Sequence, residues 1–266
     1  MIRDFAADGV LALQHSETES RRFGFSVARL LVPIGQSHSD DAVIALVRGS
    51  SSALLIVRAE STRTSLFREL RALGDFESLH ADTLCYYHWA VGNTTNDNQT
   101  PSGVSIEAGT EWRDVDEVLT KSFQKYKNHY SMNPRLSSGV SLSAYQEWAA
   151  GLMRDPQTVA LIARDYTTGQ ALGFVLLTID EPHSLAEVAL NAVQPDAQRR
   201  GVYSALMQST REHLARETDV RDLYISTQIG NAAVLAVWKK LGLTPHLDLN
   251  TYHLMRRDAF GGAATT

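Results

Sequence analysis

The sequence predicts an α/β protein in two unequal parts: a smaller N-terminal α/β unit, then a larger unit built on a mixed, mostly antiparallel twisted sheet flanked by helices. Three observations carry this. Residues 91–103 read Val-Gly-Asn-Thr-Thr-Asn-Asp-Asn-Gln-Thr-Pro-Ser-Gly, turn formers and small polar residues that cannot bury apolar surface and so form a linker. Beyond them come three strand-length apolar runs in succession, separated by turn residues, as in antiparallel hairpins. Strands then alternate with helices, and a Gln-Arg-Arg-Gly turn at 198–201 opens the first of those helices.

In the first part, residues 1–90, Val27–Val32 and Ala53–Val57 are aliphatic runs of strand length. Asp41–Arg48 and Ser65–Leu73 follow helical spacing, and Ala81–Ala90 is an aromatic-rich strand. The second part, residues 104–257, starts with a strand at Val104–Ala108. Val115, Val118, Leu119, Ser122, Phe123 and Tyr126 mark one helix, and Leu142, Tyr145, Ala149 and Leu152 a second. Thr158–Ala163, Ala171–Ile179 and Leu185–Val193 are the three successive strands, with turns at Asp165–Gly169 and Asp180–Ser184. A helix from Val202, a strand at Asp222–Thr227, a helix over Asn231–Leu241 stopped by Gly242, and a strand at Leu249–Met255 complete the unit. Residues 258–266 read as a flexible tail. The run Leu66–Gly74 before Tyr86 and Tyr87 echoes Val234–Gly242 before Tyr252. Either helix–Gly–strand units simply recur, or the first part is a truncated copy of the second.

Composition narrows the function. Over 266 residues, 25 Lys+Arg against 30 Asp+Glu leave a net charge of −5, without the basic excess expected for nucleic-acid or anionic-membrane partners. Apolar runs such as Ala53–Val57 and Phe174–Leu177 fall far short of the roughly 18–20 residues of a membrane span. Asp4 and Asp8 interrupt the first apolar stretch, and Cys85 is the single cysteine, so no secretory signal, internal disulfide or multi-cysteine zinc site is expected. A soluble, cytoplasmic protein is the expectation. His183, His213, His246 and His253 show no metal-site spacing, and no metal is expected.

The strongest chemical signal is Asn191–Met207. A strand ends near Val193, Pro195 turns the chain, and a helix opens at Val202 after Gln198-Arg199-Arg200-Gly201. Unpaired N–H groups at a helix start and the positive end of its dipole suit a pyrophosphate. Gly201 clears the approach to the backbone, and Arg199 and Arg200 add charge. An ordinary strand–turn–helix with surface arginines is the alternative.

This run resembles motif A of the Gcn5-related N-acetyltransferases (GNAT), Gln/Arg-x-x-Gly-x-Gly/Ala. Gln198 and Gly201 match it, and Tyr203 replaces the last small residue. Thr227-x-x-x-Asn231 and the helix ending Leu241-Gly242-Leu243 resemble motif B. The resemblance spans residues 103–257 and implies a GNAT-type sheet, acetyl-CoA as acyl donor and a small-molecule amine as acceptor; a homodimer is left open. It further implies that Gln198, Arg199, Arg200, Gly201, Val202, Tyr203 and Ser204 hold the pyrophosphate. Backbone at Leu190, Ala192 and Val193 would hold the pantetheine where Leu185–Val193 splays from Asp222–Thr227. Asn231 would contact the pantetheine, cap its helix, or do both. His129–Leu136 with Tyr145-x-x-Trp148, and more loosely Arg22–Phe25, resemble the branch that acetylates a nucleotide-linked amino sugar, TDP-fucosamine. His129, Tyr130 and Arg135 are then the candidate substrate contacts, Arg135 for a diphosphate; the alternative is a loop packed on the core.

Glu187, five residues before Ala192, is the candidate base, with alternation setting it on one face with Asn191; a solvated glutamate is the alternative. The branch has a tyrosine acid seven residues after its motif B asparagine, and here that position is Trp238. An indole N–H donates a hydrogen bond but does not ionise. Either the thiolate leaves unassisted, or Tyr203 or Tyr252 serves, or the chemistry has changed and the chain only binds CoA. A natural-product amine without a nucleotide is the rival acceptor.

Overall fold

The computed structural model describes residues 9–35, 38–92, 100–109, 111–124, 126–136 and 141–260. The first half supplies strands β1 (Leu13–His15), β2 (Val27–Leu31), β3 (Leu54–Glu60) and β4 (Phe76–Ala90). The second supplies β5 (Val104–Ala108), β6 (Thr158–Asp165), β7 (Ala171–Asp180), β8 (Leu185–Val193), β9 (Asp222–Gln228) and β10 (Thr244–Arg256). Between them run α1 (Glu17–Phe23), α2 (Asp40–Gly49), α3 (Thr64–Ala72), α4 (Trp112–Phe123), α5 (Ser141–Arg154), α6 (Val202–Glu217) and α7 (Ala232–Lys240), with α8 (Arg257–Phe260) at the end. Among the described residues no helix is long and apolar enough to cross a membrane.

All these strands join one sheet in the order β1-β2-β3-β10-β4-β9-β8-β7-β6-β5. Only β2–β3 and β8–β9 are parallel; every other pairing is antiparallel. The two halves repeat one path. From β2 the chain goes through α2 to parallel β3, then α3, then β4; from β8 it goes through α6 to parallel β9, then α7, then β10. Each path's last strand is exchanged, so that β4 lies beside β9 and β10 beside β3, and the two pair with each other from Thr244↔His88 to Arg256↔Phe76. The echo between Leu66–Gly74 and Val234–Gly242 thus falls on the equivalent helices α3 and α7.

This exchange runs across the division at 1–90 and 104–257. One sheet crosses it, because β9 has no other neighbour on that side than β4. Within the expected linker, Val91 is buried in the core beside Trp89 and donates its N–H to the Arg221 carbonyl at 2.8 Å; residues 93–99 lie outside the described residues. The expected tail begins later than 258, since Phe260 in α8 meets the Phe25 ring edge-on at 5.0 Å. Residues 261–266, and the N-terminal Asp4 and Asp8, lie outside the described residues.

Four helices cover one face of the sheet. Val43, Val47, Leu66 and Leu70 of α2 and α3 pack on Leu55 and Val57. Val202 and Leu206 of α6 and Trp238 of α7 pack on Val175, Val188 and Ile225. On the other face Val115, Val118 and Leu119 of α4 and Ala149 of α5 cover Phe174, Leu176 and Leu190. Phe23 and Tyr130 cover Val27 and Ile56 there. The helical spacing Val115, Val118, Leu119, Phe123 is the buried stripe of α4. β1 and α1 were not expected from periodicity: α1 is short and polar. Its signal was a capping residue, since Ser16 accepts the Glu19 N–H at 3.4 Å and the helix stops at Gly24 with φ 77°.

Candidate active site

The parallel pair β8–β9 opens partway along. Its register runs from Leu185↔Asp222 only to Val188↔Ile225, while β8 continues to Val193 against β7. The cause is a bulge: Leu177 pairs with Val188 but Leu176 with Leu190, leaving Ala189 as an extra residue that bends β8 away. The Gln194 N–H bonds the Leu172 carbonyl, so in this register Leu190 and Ala192 turn their backbone groups to β7, and Asn191 and Val193, rather than the expected Leu190 and Ala192, face the opening toward β9. The equivalent pair β2–β3 stays closed from Val27↔Leu54 to Leu31↔Arg58. The bulge also corrects one expectation. It inverts the alternation, so Glu187 faces α4 and α5 opposite Thr178, whereas Asn191 pairs with Val175 on the face of α6. Sequence alternation had put both on one face.

At the end of β8 a short 3₁₀ turn, Pro195–Ala197, leads to Gly201, which starts α6 in the left-handed region at φ 82°. Arg199 is also left-handed, at φ 60°. No side chain caps α6 and its first turn holds no acid, so its leading N–H groups and dipole face outward. In α2, the equivalent helix, Ser39 accepts the Ala42 N–H at 3.2 Å, and Asp40 and Asp41 occupy the first turn. The start of α6 thus lacks the acids that the start of α2 carries. Gln198, Arg199, Gly201, Tyr203 and Ser204 line the cleft here. The Gln198 side chain donates to the Val193 carbonyl at 3.2 Å, tying the turn to β8. Two expectations change: Val202 is buried and can offer only its backbone N–H, and Arg200 lies off the cleft, its charge acting on Asp165.

The cleft, about 1400 Å³, runs from this turn through the β8–β9 opening to the first half of the chain. Asn231 stands at the start of α7 but makes no cap with its side chain; its Nδ2 donates to Thr227 Oγ1 at 3.0 Å across the opening. Trp238 is buried, and its Nε1–H donates to the Tyr203 hydroxyl at 2.8 Å. With its oxygen's lone pair so engaged, the Tyr203 O–H remains a donor in the cleft. Burial pushes its phenol well up, with the Trp238 bond opposing weakly. Tyr252 is no alternative: it stacks on Phe67, accepts from Arg71 at 2.9 Å on the face of α3, and does not line the cleft. Cys85 is buried and its thiol is pushed up to about 12 by burial and then by Asp248.

Phe123, Tyr126, Tyr145 and Trp148 wall the far end, with Glu187 buried at its side. The first half closes it with Glu19, Arg29 and Arg58. Arg29 holds Glu19 bidentately at 2.7 and 2.8 Å, and Tyr130 donates to the same carboxylate. Burial alone would raise Glu19, but Arg29 outweighs it and keeps the carboxyl below its ordinary range. Arg135, expected on the substrate, is instead exposed, bonded to Glu77 at 2.7 Å, and off the cleft.

His129 lines the cleft in a fixed tautomer. The Arg135 N–H binds Asn133 Oδ1 at 3.0 Å, so Asn133 Nδ2 donates to His253 Nδ1 at 3.1 Å. His253 Nε2–H then donates to His129 Nδ1 at 2.9 Å, leaving the proton of His129 on Nε2. Burial, then the charge of Arg58, holds His129 well below 6.5 and lowers His253 to about 4. Because the unfolded chain takes up these protons first, stability is full above pH 6.5 and falls as pH drops toward 4. The His253 share of this loss is on the order of 3 kcal/mol. Urea unfolding across that window shows the slope, and His253→Gln flattens it.

A mixed sheet whose parallel pair opens at a bulge, beside an uncapped helix that starts on glycine, is the GNAT-type acetyltransferase fold. Residues 112–243 match the Acetyltransferase (GNAT) family. Over 199 residues the chain is 27% identical to a mycothiol acetyltransferase of Streptomyces griseus subsp. griseus, covering 74% of this chain and 57% of that protein. Over 144 residues it is 26% identical to a mycothiol acetyltransferase of Actinosynnema mirum, covering 54% and 46%. The chain thus spans about half the length of the curated relatives it matches. The crystal structure of a GCN5-related N-acetyltransferase from Sphaerobacter thermophilus shares the fold with a TM-score of 0.63 at 14% identity, over 92% of this chain and 76% of that chain.

Proposed function

We propose that this protein transfers an acetyl group from acetyl-CoA to the amine of a small molecule held between its two halves. The observation that carries the reading is the pairing of the β8–β9 opening with the uncapped start of α6, both on one cleft. Acetyl-CoA would supply the activated thioester. The N–H groups of Val202, Tyr203 and Ser204, with Arg199, would hold its pyrophosphate. The backbone of Asn191 and the N–H of Val193, with Asn231, would hold the arm and polarise the carbonyl. Glu187 would draw the proton from the attacking amine through water. Tyr203, positioned by Trp238, would donate a hydrogen bond to the departing sulfur. A phenol pushed up by burial is a weaker acid than a thiol of pKa about 8.5, so the proton stays on Tyr203 and the thiolate leaves hydrogen-bonded. The closed β2–β3 pair and the acidic start of α2 support a first half that binds no CoA and instead walls the acceptor.

For the acceptor, an amino sugar, nucleotide-linked or otherwise activated, is the first arm, supported by His129 and Tyr130 on the cleft but no longer by Arg135. A natural-product amine, and the acceptor of the mycothiol acetyltransferases, are the other arms. Free-thiol release from acetyl-CoA over such a panel tests the proposal. Thiol release with one acceptor class is the expected result; CoA binding without release on any amine would reduce the chain to a CoA-binding protein.

A further inference from the structure

We infer that Arg58 is an anion-holding residue of the acceptor site, so that the amine substrate also bears a carboxylate or phosphate several bonds from its nitrogen. This rests on the acetyltransferase reading. Arg58 stands in β3 and lines the cleft. Its Nε donates to Thr251 at 3.0 Å, and among the described residues no carboxylate lies within ion-pair distance of its guanidinium. The nearby charges are otherwise committed. Glu19 is matched by Arg29 and bonded by Tyr130. Asp82 lies two strands away in the same row, with Thr251 between them, a backbone separation of about 10 Å. Its carboxylate takes the Thr83 N–H at 2.7 Å and a hydrogen bond from Gln228. His129 and His253 are neutral beside it. Asp82 and Glu19 attract the Arg58 guanidinium only at longer range; drawing it out of water without a contacting partner is costly, and a ligand anion would supply that partner bidentately.

Position sets the spacing. From β3 to β9, where the thioester opening begins, are three strand spacings by way of β10 and β4, about 14 Å. The anion therefore cannot be a neighbour of the reacting amine, as it would be in a free amino acid.

The test uses matched pairs on the full chain: glucosamine 6-phosphate against glucosamine, and tri-alanine against tri-alanine amide. Each is titrated by calorimetry with and without saturating CoA, so that the result is read whether or not CoA binds. The anionic member of at least one pair is expected to bind about tenfold or more tighter. Arg58→Met should erase that preference, and Arg58→Lys should keep part of it. Equal binding within both pairs, failure of both anionic probes to bind, or an unchanged preference in folded Arg58→Met would overturn the inference. The wild-type comparison needs no variant to fold. Absence of CoA binding in the same titrations would strike the acetyltransferase reading instead. If the phosphate pair alone discriminates, the acceptor is a phosphorylated sugar or its kin; if the tri-alanine pair alone does, it is a carboxylate-ended amine.

Discussion

Gly201→Asp lowers CoA affinity about a hundredfold while the protein stays folded. The substitution sets a carboxylate at the start of α6, where the N–H groups of Val202, Tyr203 and Ser204 converge and no acid stands. Like charges about 5 Å apart at an effective dielectric near 20 repel by roughly 3 kcal/mol, which is two orders of magnitude in affinity. Backbone strain contributes separately, because Gly201 sits at φ +82° and a Cβ there would meet Pro101 Cγ at 3.2 Å. Gly201→Ala isolates that share, and its affinity should fall less. CoA calorimetry on the two variants, with circular dichroism to verify folding, makes the comparison. An unchanged affinity in Gly201→Asp would remove the pyrophosphate assignment.

Tyr203→Phe lowers turnover about 10²–10³-fold, the usual effect of deleting one donor to a developing anion, and leaves CoA affinity near that of the parent. The buried Trp238 Nε1–H loses its acceptor, so stability should also drop by about 1–3 kcal/mol. Trp238→Phe keeps the phenol, removes the bond that orients it and shrinks a buried ring, so stability should drop as well while turnover falls less than in Tyr203→Phe. Single-turnover thiol release at several pH values separates the two roles. A Tyr203→Phe variant with parental turnover would return the departing thiolate to an unassisted exit.

The element boundaries show where sequence reasoning works. Val104–Ala108 and Leu185–Val193 were read to the residue, since each is a strand-length stretch with polar residues only at single interior positions, bounded by turn formers. β4 and β10 were read too short, at Ala81 and Leu249 instead of Phe76 and Thr244. Their extra residues include polar ones that are ordered by strands on both sides, and no local pattern reports a partner more than a hundred residues away. For the same reason the linker reading hid the exchange of these two strands. On the cleft, Gln198, Arg199, Gly201 and Asn231 were legible because glycine and helix-start chemistry leave a local mark. Arg58 left none: it stands in an apolar strand of the first half, remote from every motif.

The sequence by itself determined the α/β class, the phosphate-suited turn and the resemblance that organises the second half, because these depend on local periodicity and on contiguous residues. Only the tertiary structure decided that Ala189 bulges, which sets Glu187 on the face of α4 and α5 and Asn191 on the face of α6. It alone decided that Trp238 serves Tyr203, that Arg135 leaves the site for Glu77, and that Arg58 enters it. These are choices of face and partner, set by strand register and by which charges are already matched, and register between distant strands is fixed only when the whole sheet closes.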